Sequence, residues 1–258
     1  MKIIDVSTFQ GVIDWERVKK TDVAGVMIRA GYGQNNIDAQ FVRNISECNR
    51  LGIPAGIYWF SYAYNAQMAR NEAFAALKAV QPYKLELPIA FDWEYDSRSY
   101  MLRHGVTPTP DLINSIVKAF CSTIENDGYY AMNYSNPDIL NSLMTDVAAY
   151  DLWLAHWNGT PATTSPSRPC GMWQYGGTYV DGIGGGIDTS EAYRDYPALI
   201  RSVGLNHLAD EPEPTEGDLA EAWAVERGIV EADYDPGEPM TKQSVIEMLY
   251  RLHGKENE

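Results

Sequence analysis

The sequence predicts an α/β protein: an irregular, TIM-like β/α barrel followed by a small C-terminal helical module. Three observations carry that expectation. Short apolar, β-rich runs alternate with longer segments of helical period up to about residue 200. Three of the apolar runs lead straight into a carboxylate: Ile3-Ile4 into Asp5, Leu87-Pro88-Ile89-Ala90-Phe91 into Asp92 with Glu94 two residues on, and Gly186-Ile187 into Asp188. The charge balance also shifts along the chain. Residues 204–258 hold 14 acids against 4 bases, a net of −10, while residues 1–203 hold 21 against 16, a net of −5.

Taken in order, the apolar runs predict strands at 3–6, 25–29, 55–60, 87–93, 129–134, 152–157 and 171–175. Between them, helical periodicity predicts helices at 39–51, 67–80, 111–127 and 137–143. The helices fade after about residue 145, so the last strands follow one another through loops, which argues for an irregular barrel. A doubly wound sheet lacks its phosphate loop, because Gly182-Ile183-Gly184-Gly185-Gly186 has neither a strand before it nor a helix after it. Asp210-Glu211-Pro212-Glu213-Pro214-Thr215-Glu216-Gly217 has the composition of an extended linker. The predicted organisation is thus a barrel over 1–203, a linker over 204–216 and a helical module over 217–258. In the module, one amphipathic helix spans 219–230 and breaks at Gly228, and a second starts at Thr241 and runs through Val245, Ile246, Leu249 and Leu252.

Composition excludes several classes. No run approaches the roughly 18 apolar residues of a membrane span, and no signal peptide precedes Ile3-Ile4-Asp5, so a cytoplasmic origin without membrane insertion is expected. Cys48, Cys121 and Cys170 are too few and too scattered for a disulfide framework or a zinc site. A net charge of −15 argues against nucleic acid as a partner.

In a parallel barrel, reactive groups collect at the C-terminal face, which places Asp5, Asp92, Glu94 and Asp188 in one mouth. If the strand persists through Glu94, Asp92 and Glu94 share a face with Cα atoms roughly 7 Å apart. Two carboxylates at that range can divide acid and base work in glycoside hydrolysis. A solvated loop or a calcium or magnesium site are the alternatives, although the ligand-rich Asp/Asn loop of a calcium site is absent. Aromatic residues at the same strand ends favour a sugar ligand, because flat rings stack on pyranose faces. They are Tyr58, Trp59, Phe60, Tyr62 and Tyr64 after one strand, and Tyr134, Trp153, Trp157, Trp173 and Tyr175 near others. Arg29 could pair with a site acid, hold a substrate carboxylate or form a structural salt bridge. His156 reads as a wall residue.

Ordered blocks add a family resemblance. They are Asp5-Val6-Ser7 with Gln10-Gly11 and Ile13-Asp14-Trp15; Ile28-Arg29-Ala30-Gly31-Tyr32-Gly33; Asp38 with Phe41 and Asn44; Gly56-Ile57-Tyr58-Trp59-Phe60-Ser61-Tyr62-Ala63; Phe91-Asp92-Trp93-Glu94; Leu152-Trp153-Leu154-Ala155-His156-Trp157; Trp173-Gln174-Tyr175; and Ile187-Asp188. With these, residues 1–200 resemble the glycoside hydrolase family 25 lysozymes, the Chalaropsis-type N-acetylmuramidases found among phage endolysins and autolysins. The resemblance implies cleavage of the β-1,4 bond between N-acetylmuramic acid and N-acetylglucosamine in peptidoglycan, with no cofactor and no metal. It implies Glu94 as general acid, Asp92 as its partner carboxylate, Asp5 and Asp188 as flanking acids, and Gln174 among the substrate-binding residues. It further implies action at the bacterial cell wall after holin-type release. Thr189-Ser190 follow Asp188 where family members often have Leu-Asn. The rival readings are a wall-glycan-binding protein without catalysis and a chitinase-like glycosidase.

The C-terminal module resembles one S-layer homology motif, on Trp223-Ala224, Gly228-Ile229-Val230, Asp235-Pro236, Thr241 and Leu249-Tyr250-Arg251. That resemblance implies binding of a secondary cell-wall polymer. Because a helix pair of this size buries little surface, self-association or a capping role is the alternative.

Overall fold

The computed structural model describes residues 1–157, 169–208, 223–225, 227–228 and 245–247. The chain divides into two compact units, Met1–Asp210 and Glu211–Glu258.

The first unit is a closed barrel. Its strands are β1 (Lys2–Val6), β2 (Gly25–Tyr32), β3 (Asn36–Ile37), β4 (Ala55–Phe60), β5 (Ile89–Asp92), β6 (Ala131–Ser135), β7 (Asp151–Ala155), β8 (Met172–Thr178) and β9 (Ile187–Ala192). From β1 through β2, β4, β5, β6, β7 and β8 the neighbours pair in parallel. β9 then closes the ring, running antiparallel to both β8 and β1. β3 stands outside the ring as a hairpin partner of β2. The ring thus has eight strands, seven of one sense and one reversed.

Helices cover the first part of the ring: α1 (Trp15–Val18), α2 (Phe41–Leu51), α3 (Ala66–Val80), α4 (Tyr95–Arg103), α5 (Pro110–Asn126) and α6 (Pro137–Ser142), with α7 (Tyr196–Ser202) after β9. Thr109 accepts a bond from Leu112 N at 3.3 Å and Pro110 occupies the first turn, which starts α5 at the predicted place. No helix separates β8 from β9, as the fading of helical periodicity predicts, while most of the connection from β7 to β8 lies outside the described residues. The sequence pattern did not reveal β3, β9, α1, α4 or α7.

Period-2 alternation sorts the side chains into two cores. Ile4, Val6, Ile57, Trp59, Ile89, Phe91, Leu152 and Leu154 point outward and pack beneath the helices. Ile3, Met27, Ala90, Met132, Trp153 and Met172 point inward and fill the barrel. On β1 and β5 the next inward positions after Ile3 and Ala90 are Asp5 and Asp92, so the barrel's own filling ends in carboxylates.

The barrel extends past the predicted boundary at residue 203. Asn206 is buried; its side chain donates to the carbonyls of Leu85 (3.0 Å) and Leu87 (3.1 Å) and accepts from Tyr130 N (2.8 Å). These bonds satisfy backbone groups before β5 and β6, so residues 204–208 belong to the barrel rather than to a linker. In the second unit, 223–225 and 245–247 are helical. The remainder of the two predicted module helices lies outside the described residues.

Candidate active site

A cavity of about 210 Å³ opens where the parallel strands end, and Asp5, Asp92, Glu94 and Asp188 all line it. Asp5 lies near the end of β1 and Asp92 is the last residue of β5. Glu94 follows in extended conformation (φ −126°, ψ −166°) and is the N-cap residue of α4. The extended backbone preserves the alternation: Asp92 and Glu94 face the cavity, while Trp93 between them is buried in the outer core. Ser97 Oγ accepts from Glu94 N at 3.1 Å and fixes the turn into the helix.

Asp188 reaches the mouth by a different route from the one its sequence context suggests. It does not end a strand; it is the second residue of β9 and pairs directly with Asp5. Because β9 is antiparallel, its beginning lies beside the end of β1.

Crowding of acids with burial raises their proton affinity. Asp5 is pushed up to about 7, by burial first and then by the charges of Asp188 and Glu94, against the hydrogen bond from Gln174. Asp92 lies well above the usual carboxylate range through burial and the neighbouring Glu94 and Asp5 charges. Burial raises Glu94 too, aided by Asp96 and Asp188, while its hydrogen bond with Asp92 works the other way. That bond favours the shared proton on Asp92 in the unliganded cavity. Burial also raises Asp188. Asp92 Oδ1 is buried and has no hydrogen-bond partner among the described residues.

Gln174, on β8, organises one wall. Its Oε1 accepts from Tyr134 OH (3.0 Å) and Trp157 Nε1 (3.1 Å), and its Nε2 donates to Asp5 Oδ2 (3.0 Å). An indole nitrogen can only donate, so the amide orientation is fixed and its NH2 must face Asp5. Tyr58, Tyr134 and Trp153 complete this wall; Trp153 meets Tyr134 edge-on at 4.8 Å and donates to Ser190 Oγ at 3.0 Å.

Arg29 lines the cavity and is also a structural ion pair. It meets the fully buried Asp38 carboxylate at 2.7 Å, which accepts as well from Thr8 N at 3.0 Å. Its guanidinium lies 4.9 Å from the Phe9 ring centre. Beyond Arg29 a second groove of about 480 Å³ continues from the cavity, sharing Phe9, Arg29 and Phe60 with it and adding Tyr32, Ile37 and Tyr62.

Two predicted substrate contacts lie elsewhere. Trp59 is fully buried in the outer core, because its neighbours Tyr58 and Phe60 hold the inward parity; its Nε1 donates to Gly33 O at 3.0 Å. Trp173 likewise points outward and donates to His156 O at 3.0 Å. Trp157 is exposed and touches the site through Gln174. Phe60, one of the aromatic residues noted after β4, lines the cavity, as do Ser7, Phe9 and Gln10, which were not expected as contacts. Their signal was position, since each lies within a few residues of the end of β1 or β4.

Comparison with known proteins finds lysozymes and an autolysin. Lysozyme M1 of Streptomyces globisporus is 28% identical over 197 residues, covering 73% of this chain and 66% of that protein. The autolytic lysozyme of Clostridium acetobutylicum is 26% identical over 195 residues, covering 74% of this chain and 55% of that one. This chain therefore spans less than two thirds of either relative. Among solved structures, the modular autolysin LytC of Streptococcus pneumoniae in complex with a synthetic peptidoglycan ligand superposes with a TM-score of 0.64 at 32% identity, over 73% of this chain and 46% of that one. The family described as glycosyl hydrolases family 25 matches residues 4–182. With more than half of its length in that match and the barrel's inward acids gathered in one mouth, the chain belongs to glycosyl hydrolases family 25.

Proposed function

We propose that the protein is a peptidoglycan hydrolase acting at the bacterial cell wall, an N-acetylmuramidase that cuts the β-1,4 bond between N-acetylmuramic acid and N-acetylglucosamine. The observation that carries this reading is the buried pair of Asp92 and Glu94 in one cavity, both with raised proton affinity. Glu94 donates its proton to the leaving glycosidic oxygen. The 2-acetamido carbonyl oxygen of the muramic unit attacks its own anomeric carbon as that bond breaks. The acetamide N–H donates to the Asp92 carboxylate, which lines the cavity. A donor arriving at Asp92 favours its ionised form, which shifts the shared proton to Glu94 where the leaving group needs it. Water then opens the cyclic intermediate with Glu94 as base, leaving a β-configured product.

Tyr58, Tyr134 and Trp153 bound the reacting sugar, and the second groove past Phe9 and Phe60 continues the glycan path. Residues 217–258 serve as an anchor to a secondary wall polymer. The stereochemical step is tested by NMR of the first product released from soluble glycan strands. Early β-anomer is the expected result, and early α-anomer would exclude acetamide assistance.

A further inference from the structure

Glu72 lies on α3, is fully buried, and takes no part in the chemistry above. Its carboxylate collects three donors from two different segments. Ser61 Oγ donates at 2.5 Å and Tyr62 N at 3.1 Å, both from the loop after β4, and Gln34 Nε2 donates at 3.2 Å from the turn between β2 and β3. These are the segments that carry the walls of the second groove, with Tyr62 on one side and Tyr32 and Ile37 on the other. The turn is held again from below, where Trp59 Nε1 meets Gly33 O at 3.0 Å. Gly33 itself is at φ 53°, with the Tyr62 ring so close that an added Cβ would lie 3.2 Å from it.

We propose that Glu72 is a positioning residue for substrate binding: from inside the protein it clamps the β2–β3 turn to the loop after β4 and so fixes the width of the second groove. This rests on the muramidase reading and names the part of the molecule that sets its affinity for glycan. The clamp requires one oxygen that accepts from Tyr62 N and Gln34 Nε2, and a second group that bonds with the Ser61 hydroxyl. Burial pushes the Glu72 carboxyl up to about 7, against the pull of its three donors. An amide can reproduce it, with its oxygen accepting from Tyr62 N and Gln34 and its NH2 donating to Ser61 Oγ, which has a second lone pair beside the one that accepts from Ala63 N.

The test is steady-state cleavage of soluble, uncross-linked peptidoglycan strands by the full chain. Glu72→Ala is expected to raise KM about tenfold with kcat within about twofold of wild type, the pattern of lost uniform binding. Glu72→Gln should restore wild-type KM. Gln34→Ala removes one arm from the surface without opening the core, and should raise KM about threefold at unchanged kcat. If Glu72→Ala does not fold, the Gln34→Ala result decides. Wild-type KM in both alanine variants, or a fall in kcat at constant KM, would overturn the clamp alone. An inactive wild-type chain would overturn the muramidase reading with it.

Discussion

Asp188 sits among the acids that line the mouth, and its charge raises the proton affinity of Asp5 and Glu94. A carboxylate after Gly186-Ile187 looks like the end of a strand, yet it stands near the start of the reversed β9, opposite Asp5. Its charge helps hold the proton on Glu94. Replacing it with Asn removes a negative neighbour, so Glu94 must lose its proton at lower pH. If Glu94 is the general acid, as proposed, Asp188→Asn should move the alkaline limb of the kcat profile, which reports the substrate complex, to lower pH. A limb that stays put or moves upward would contradict the coupling. Other residues were legible only in part. Tyr58 and Trp59 are equally aromatic, but strand parity sends one inward and the other outward, and parity could have been counted from Asp92 on the neighbouring strand. Glu72 was hidden among 35 acids, although it sits on the stripe Ala69, Ala73, Ala76 and Val80 that α3 buries.

At the scale of elements, strong periodicity was readable and short amphipathic segments were not. α2, α3 and α5 each bury a stripe long enough to register as a 3.6-residue repeat. α4 buries only Ser97 and Met101, and α7 only Tyr196 and Ile200, a single i, i+4 pair in each case. One pair cannot establish a period, so those helices are fixed by docking on the barrel. β9 escaped because Ile187-Asp188-Thr189-Ser190-Glu191-Ala192 is mostly polar. Its ladder bonds to β1 and β8 and its place at the closure of the ring decide its conformation. The boundary of α5 was fixed locally by its cap. Thr109→Ala should cost about 1 kcal/mol, read as a shift of the urea midpoint at constant slope. No shift would mean that Pro110 and tertiary packing alone set the start of the helix.

Across the whole molecule, the acid-rich segment after residue 203 was a sound sign of a second unit but a poor guide to where the first one ends. The two compact units divide between Asp210 and Glu211, and the barrel needs Asn206 to satisfy backbone groups at its base. An Asn in a polar stretch carries no sequence mark of that duty. If residues 217–258 anchor the enzyme, a 1–210 truncation should cleave soluble strands as the full chain does but sediment far less with intact walls. Equal retention on walls would remove the anchor role.

The central claim is that one mouth of inward-facing acids breaks the muramyl bond with Glu94 as its acid. Its most direct test is the release of new reducing ends from purified peptidoglycan, identified after borohydride reduction, by wild type and Glu94→Gln. The account predicts reduced muramic acid from the wild type and a loss of at least about a thousandfold in the variant, with the fold unchanged by circular dichroism. Reduced glucosamine as the product, no release by the wild type, or full activity in Glu94→Gln would contradict it.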